Sequence, residues 1–301
     1  FRIGEQMDEV VLLHEENVPL MVWKPGVSCR GVSVRHLCIT SCQTDKSPDT
    51  AAILCQSGME QSFFSHLLFN AESASMGSGI VVEKVMDTST IHQCLLWGVT
   101  GTGIQVAEGS EVRIFGGRII GRDRYADKSI GVHLTGNNGG VHIVTTDIIA
   151  LHTALKIGQA GNKSNREVFI THATFDSSIH GIVQVDGTYL SMAGCWSASS
   201  DQEQILLDKT AQGAILSITG GTIFNGGAYN KGGANHGIVI LAGSFMLSGV
   251  TVRHNKGTGI LVGSNAVQDY AITGCRIADN GTGVVLDGNG YACTGNVLAR
   301  N

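Results

Sequence analysis

A sequence repeat with a period of about 25 residues runs through most of this 301-residue chain. Its clearest copies begin at Leu247, Ile272 and Cys293, and each starts with an apolar residue, Ser or Thr, and Gly, and ends in Asn. The same frame begins upstream at Ile114, Ile143, Ile170, Met192 and Ile218. A unit this short cannot bury its own apolar face, so neighbouring units must stack around a shared core.

A second motif, Gly-Ile-x-Val and its variants, repeats in phase with the first. It begins at Gly79, Gly103, Gly131, Ala154, Gly181, Gly237, Gly259 and Gly283, with Gln204 filling the longest gap and Ala52 extending the series backwards. Two motifs that keep one period indicate a solenoid and not an accidental similarity.

Each unit contains two or three runs of four to six alternating, β-branched residues, which predict short strands joined by turns. The chain has only 3 Pro residues, as expected where almost every backbone N–H joins a ladder to the next coil. Repeated Asn255, Asn280 and Asn301 predict left-handed turn conformations and a stacked amide ladder. The prediction is an all-β, single-stranded right-handed parallel β-helix of about 12 coils. It forms one domain over 1–301, less regular in 1–49 and regular in 50–301.

Alternation along the second motif places its third residue on the outer surface. This outward column is Val81, Gln105, His133, Lys156, Val183, Leu206, Val239, Leu261 and Val285. Its last five members are aliphatic, and an exposed apolar ridge requires a cover. We predict a homotrimer that packs through Val183, Leu206, Val239, Leu261 and Val285, with a covering loop as the alternative.

Composition excludes several classes of partner. Charged residues make up 15% of the chain, the net charge is −5, and no basic stripe is present, so we predict no nucleic-acid partner. No apolar run reaches the length of a spanning helix, which predicts no membrane insertion. Gly101-Thr-Gly103 and Gly257-Thr-Gly259 resemble fragments of a dinucleotide motif, but each precedes a strand, so we predict no cofactor.

The eight cysteines form no Cys-x-x-Cys motif, and most lie in apolar surroundings. This pattern predicts buried free thiols in place of a disulfide framework or a metal site. The chain begins at Phe1, not Met, and we expect it to be a section of a longer protein.

Cleavage of a sugar chain needs two nearby carboxyl groups, or a base together with a cation. In the first motif the fifth position faces outward and holds Arg118 and then Asp147 on successive coils, so these two should stack. Asp176 follows one coil later and two residues further along, about 8 Å from Asp147. That spacing lies in the ~6.5–9.5 Å window of inverting glycosidases and makes Asp147 and Asp176 the candidate catalytic pair. The alternative is a pair of ordinary surface carboxylates.

Arg118 and several other side chains are candidates for substrate binding. Trp196 can stack on a sugar ring, beside a turn that carries Asp201 and Glu203. Arg122 and Arg124 lie in a charged insertion, 121–128, that could clamp an acidic sugar. Further insertions cover 46–49, 158–165 and 226–236, and the last predicts a flexible surface loop. For each residue the alternative is a solvated turn or surface position.

The glycine-punctuated coils of residues 50–301 resemble the pectate-lyase-like β-helix superfamily, and above all the bodies of phage tailspikes and related polysaccharide depolymerases. The resemblance implies a polysaccharide partner, glycoside hydrolase or lyase chemistry, and an extracellular or virion-associated location. The Asn-Thr-Asp and Gly-His-Gly signatures of polygalacturonases and the calcium-binding Asp cluster of pectate lyases are missing, so no catalytic residue is carried over. The alternative is a non-catalytic, adhesive rod of a virion or cell surface.

Overall fold

The chain folds into a parallel β-helix of about 10 turns. The structure is a computed structural model that describes residues 10–27, 29–71, 74–85, 87–229 and 235–301, and it contains no helix in these ranges. The predicted fold class is therefore confirmed, with about two turns fewer than the 12 expected, although one sheet does stack 12 strands. Among the described residues there is accordingly no helix long and apolar enough to cross a membrane.

Each coil contributes strands to three faces, and every strand inside a stack pairs with its equivalents one coil before and one coil after. Face 3 is a separate 12-stranded sheet, whereas the 20 strands of the second sheet form two stacks, face 1 and face 2. Two long strands, Thr258–Thr273 and Thr282–Thr294, pair with both stacks and so belong to both faces.

The remaining strands of face 1 are Met21–Trp23, Ala51–Cys55, Ser78–Val82, Thr102–Val106, Ile130–Leu134, Thr153–Ile157, His180–Gln184, Ile205–Leu207 and Ile238–Ile240. Those of face 2 are Ser33–Arg35, Phe63–Ser65, Ser89–His92, Val112–Phe115, Val141–Val144, Glu167–Thr171, Tyr189–Ala193, Ile215–Thr219 and Ser244–Ser248. Face 3 consists of Val10–Leu13, Leu37–Thr40, Leu68–Asn70, Leu95–Val99, Arg118–Gly121, Asp147–Ile149, Thr174–Asp176, Trp196–Ala198, Thr222–Phe224, Thr251–Arg253, Arg276–Ala278 and Val297–Ala299. Two-residue strands pair outside these faces, Cys29–Arg30 with Met59–Glu60 and Gly109–Ser110 with Asn138–Gly139.

The predicted register is confirmed. The first residues of the first motif stack on face 2, where Ile114 pairs with Ile143 and Ile143 with Ile170. The third residue of the motif turns the chain from face 2 to face 3 with a positive φ, as at Gly274 (φ 62). Glycine reaches this conformation without steric cost, which explains its recurrence there.

The predicted amide ladder is present where face 3 turns into face 1. The Asn255 backbone N and Nδ2 both donate to Asn280 Oδ1 (3.1 and 2.9 Å), and Asn280 makes the same two bonds to Asn301 (3.1 and 2.9 Å). The left-handed conformation was predicted one residue too late, because the preceding residues His254 (φ 56) and Asp279 (φ 58) adopt it. This placement turns each asparagine inward to bond with the next coil.

One continuous apolar core extends from Ile39 to Ile277. Its largest buried side chains include Phe64, Phe69 and Phe175. Cys94, Cys195 and Cys275 are buried free thiols, and burial raises the pKa of Cys94 to about 11. Cys38 and Cys55 are also buried, whereas Cys42 and Cys293 are exposed, contrary to the general prediction of buried thiols.

The outward column of face 1 has the predicted register, with Val183, Leu206, Val239, Leu261 and Val285 paired in sequence. Its exposure is lower than expected, since Val239 is only 7% exposed and Val285 is 40% exposed. The ridge is therefore half-buried along most of its length.

Candidate functional site

Most of the insertions seen in the sequence emerge at one corner of the rod, where face 3 turns into face 1. The segments 41–50, 122–129, 199–204 and 225–237 all connect a face 3 strand to the following face 1 strand. The insertion 158–165 instead lies where face 1 turns into face 2. Residues 230–234 of the Gly-rich loop lie outside the described residues. The long loops of the rod thus gather along one edge of face 1.

The segment 122–128, here called the bridging loop, crosses several coils of this corner. Arg122 forms an ion pair with Asp127 (2.7 Å) and donates to the carbonyl oxygen of Thr44 (2.8 Å). Asp123 accepts hydrogen bonds from the backbone N–H groups of Tyr125 and Ala126, and these bonds lower the pKa of the carboxyl group. These contacts fix the loop against an earlier coil.

The other side of the bridging loop is held by later coils. Arg124 donates to the Ser177 carbonyl oxygen, and its guanidinium lies 3.8 Å from the ring centre of Tyr229. Tyr125 donates its hydroxyl to Asp201 Oδ2 at 2.6 Å, and Asp201 is only 1% exposed. Three predicted substrate-binding residues, Arg122, Arg124 and Asp201, therefore make internal contacts that position the loop.

The predicted catalytic pair lies on face 3. Arg118 pairs in register with Asp147, and both Nε and Nη2 of Arg118 donate to Asp147 Oδ2 (3.2 and 2.8 Å). Asp176 is one coil and two residues further on, in register with Ile149, and accepts a hydrogen bond from Ser177 Oγ (3.0 Å). The structure thus brings Arg118 and Asp147 together as predicted and places Asp176 at the expected register.

Trp196 belongs to the same face and column as Asp147. It pairs in register with Thr174, which in turn pairs with Asp147. Its side chain is 39% exposed and meets Phe224 edge to face, with ring centres 4.7 Å apart. Face 3 therefore presents an exposed aromatic surface two coils from Asp147, as stacking on a sugar would require.

A groove runs along face 1 beside the loop corner. One segment of about 730 Å³ extends from Asn17 to Ile130, and a second of about 430 Å³ extends from Lys128 to Leu206. Both segments share Lys128 and Ile130, so they join end to end. Their floor is the outward column, Leu54, Val81 and Gln105 in the first segment and Lys156, Val183 and Leu206 in the second. Six ladder steps separate Leu54 from Leu206, which gives a groove about 29 Å long.

The second segment of the groove is basic. It is lined by Lys128, His152, Lys156 and His180 and by no acidic residue among those described. The rings of His152 and His180 are 5.3 Å apart. Burial lowers the pKa of His152, and the neighbouring His180, Lys128 and Lys156 lower it further. The four basic groups therefore share one electrostatic environment.

His180 is held by a carboxylate behind the groove wall. Its Nδ1 lies 2.7 Å from Glu203 Oε1, and the Glu203 side chain is 7% exposed compared with 28% for His180. A carboxylate accepts the Nδ1 proton, which leaves the other ring nitrogen, Nε2, able to take a proton. The predicted residue Glu203 thus orients a histidine that lines the groove.

His133, in the outward column between Gln105 and Lys156, is buried. Burial lowers its pKa to about 4, a hydrogen bond to the Gly158 carbonyl oxygen opposes this shift, and Lys156 adds to it. At neutral pH His133 is therefore uncharged. It contributes shape, not charge, to face 1.

The low pKa of His133 predicts a loss of stability in acid. As the pH falls from about 6.5 to 4, the unfolded chain takes up a proton that the folded protein excludes, which lowers the free energy of unfolding by about 3 kcal/mol. The free energy of unfolding, measured with urea at pH 7 and at pH 4.5, should therefore differ less between the two pH values in His133→Gln than in the unmodified protein. The control is His36→Gln, because His36 lies at an exposed corner and the equivalent residue two coils later is already a glutamine, Gln93. An unchanged acid sensitivity in His133→Gln would contradict the prediction.

Several groove residues escaped the sequence analysis. Lys128 and His152 lie in corner segments, where alternation does not determine the direction of a side chain. His180 occupies the position just before the second motif and pairs in register with Thr153. A comparison of this position from coil to coil would have identified His180 as a candidate. Within the described ranges, no group of three or more His, Cys, Asp or Glu residues could hold a metal ion.

The sequence matches no protein-family profile and no curated protein. Among solved structures, it is similar to the Dettilon tailspike protein, with a TM-score of 0.46 and 13% sequence identity. The match covers 97% of this chain and 62% of the tailspike chain, so the chain spans less than two thirds of that protein.

Proposed function

We propose that the protein binds a polysaccharide chain in the face 1 groove and cleaves it by acid/base chemistry. The observation that carries this proposal is a histidine of the groove wall, His180, held by the buried carboxylate of Glu203 at 2.7 Å. The groove is long, open and parallel to the stack of coils, which suits an extended polymer and not a compact metabolite. Its apolar and polar floor offers the mixed surface that sugar rings require.

The histidine can serve as a general base in either type of cleavage. In hydrolysis it removes a proton from the water that attacks the anomeric carbon, the glycosidic C–O bond breaks, and the departing oxygen takes up a proton from solvent. In elimination it removes the proton from the carbon next to a carboxyl group, those electrons form a carbon–carbon double bond, and the glycosidic oxygen leaves the neighbouring carbon and takes up a proton from solvent. Glu203 keeps the ring in one orientation and stabilises the positive charge that forms on proton uptake. Hydrolase and lyase are distinguished by the products.

Asp147 and Asp176 on face 3 remain a second candidate for the catalytic groups, with Arg118 and Trp196 beside them. Their register supports the predicted spacing of about 8 Å, which leaves room for a water between two carboxyl groups. Arg118 forms an ion pair with Asp147 at 2.8 Å, whereas Asp176 accepts a hydrogen bond from Ser177 Oγ at 3.0 Å. Because the two candidates lie on different faces, variants separate them.

The first experiment is incubation of the protein with bacterial capsular, algal and plant polysaccharides, followed by mass spectrometry of the released oligosaccharides. Products that contain an added water indicate hydrolysis, and unsaturated products indicate a lyase. Loss of cleavage in Asp147→Asn or Asp176→Asn, with His180→Gln fully active, would place the chemistry on face 3. Binding without cleavage of any polysaccharide would instead support the non-catalytic adhesive rod.

A homotrimer remains a proposal, supported by the stacked aliphatic column of face 1. Val183 and Leu206 of this column also line the groove, so a trimer that packs through them would place the groove beside a subunit boundary. Sedimentation velocity would show a particle of three times 31.6 kDa. With a polysaccharide as its partner, the protein would act outside cells or on a virion.

A further inference from the structure

The basic segment of the groove stands out against the charge of the whole protein. The chain has 20 Lys and Arg residues against 25 Asp and Glu residues, a net charge of −5. Two lysines nevertheless line one short segment of the groove, together with His152 and His180. The first segment, by contrast, contains Asp49 and Glu83 as well as Lys128. Positive charge is thus concentrated next to His180.

These lysines are not used to hold the fold together. Neither Lys128 nor Lys156 forms an ion pair with any residue that the structure describes. Arg118, Arg122 and Arg300 all do, each with an aspartate. Lys156 is half-buried in the outward column, between His133 and Val183. A cation in this position gains from an anionic partner that occupies the groove.

The carboxylate that holds His180 forms no ion pair with either lysine. Glu203 lies behind the groove wall, and its Oε1 atom is bonded to His180 Nδ1 at 2.7 Å. The groove therefore presents two ammonium groups and two imidazoles to a bound chain, with the acid on the far side of His180. An anionic group of the ligand would complete the charge balance of the segment.

We propose that this segment is a subsite for an anionic sugar, so that the substrate is a polysaccharide with carboxylate, sulfate or phosphate groups. The inference rests on the proposed function and narrows its substrate class. Lys128 contacts the anionic group from the loop corner and Lys156 from the floor. Between them, the charged sugar is placed against His180.

The test is affinity electrophoresis in gels containing alginate, hyaluronan, dextran sulfate, a wall teichoic acid, dextran or galactomannan, at two salt concentrations. We expect retardation by one or more of the anionic polymers and none by dextran or galactomannan. The double variant Lys128→Gln/Lys156→Gln should lose at least 10-fold in affinity, and its binding should depend less on salt. Lys163→Gln, in the exposed loop between face 1 and face 2, is the matched control and should bind as the unmodified protein does.

The possible outcomes separate this inference from the proposed function. Binding to alginate or hyaluronan identifies carboxylate as the anionic group. Binding to dextran sulfate identifies sulfate, and binding to teichoic acid identifies phosphate. Binding to neutral polymers that survives the double lysine substitution would overturn the inference and leave the proposed function intact. Anionic binding that the double variant retains would also overturn it. If no polymer in the wider panel binds or is cleaved, both the proposed function and the inference fail.

Discussion

Replacing His180 with glutamine should slow cleavage of the polysaccharide substrate at least 100-fold, because general acid–base groups contribute about 10²- to 10⁴-fold to rates. Glutamine can still bond to Glu203 but cannot take up a proton at neutral pH. The loss should therefore appear in kcat, while binding of the polysaccharide is largely kept. The measurement is the initial rate of oligosaccharide release from the substrate that the panel identifies.

The control for this experiment is His36→Gln, the same substitution at a corner away from the groove. It should cleave at the unmodified rate, and both variants should have the same thermal midpoint as the unmodified protein. Glu203→Gln keeps a hydrogen-bonding group behind His180 but removes the charge, so it should alter the pH dependence of kcat and not abolish cleavage. Full activity of His180→Gln would exclude His180 as the catalytic base.

The second large effect is expected from Asn280→Ala, which should lower the free energy of unfolding by about 2–5 kcal/mol. Asn280 Oδ1 accepts two hydrogen bonds from Asn255, whose side chain is only 1% exposed. Removing that oxygen leaves the Asn255 backbone N–H and one N–H of its Nδ2 buried without an acceptor, while Nδ2 keeps its bond to the Arg253 carbonyl oxygen (3.3 Å). Each unsatisfied N–H costs about 1–3 kcal/mol. Urea unfolding of the variant measures the change.

Asn162→Ala is the matched control for the ladder. Asn162 lies in an exposed loop and donates one hydrogen bond to the Thr135 carbonyl oxygen at 3.2 Å. Its removal should lower the free energy of unfolding by less than about 1 kcal/mol, because water replaces the lost partner. Equal losses in the two variants would contradict the claim that the buried ladder stabilises the corner.

The register of the coils was predictable because it depends on a local property of the sequence. Alternation within four to six residues decides which side chains face inward, and the repeat then aligns these runs from coil to coil. The pairing of Arg118 with Asp147 followed directly from this reasoning. The left-handed conformation predicted for Asn255 and Asn280 lies one residue earlier in the structure. The difference arises because the chain changes direction at this corner and the alternation is interrupted.

The groove could not be predicted in the same way. One residue of its wall, Lys128, belongs to the bridging loop, whose contacts join residues far apart in sequence, such as Tyr125 with Asp201. No periodic pattern specifies such a contact, since the loop departs from the repeat. For the same reason the charge of Arg122 and Arg124 predicts substrate binding but not the contacts with which they hold the loop.

The bridging loop also limits how the rod can change in length. A solenoid in which each coil contacts only its neighbours can gain or lose a whole coil without disturbing distant ones. Here Arg122 bonds to Thr44, which follows the face 3 strand three coils before the loop. Arg124 contacts Tyr229, which follows the face 3 strand four coils after the loop. Removing a coil on either side of the loop inside that span would shift the anchor on that side by about 4.8 Å relative to the loop. Coils before Thr44 and beyond Tyr229 carry no such restriction, so natural variation in coil number should be confined to the parts of the rod outside this span.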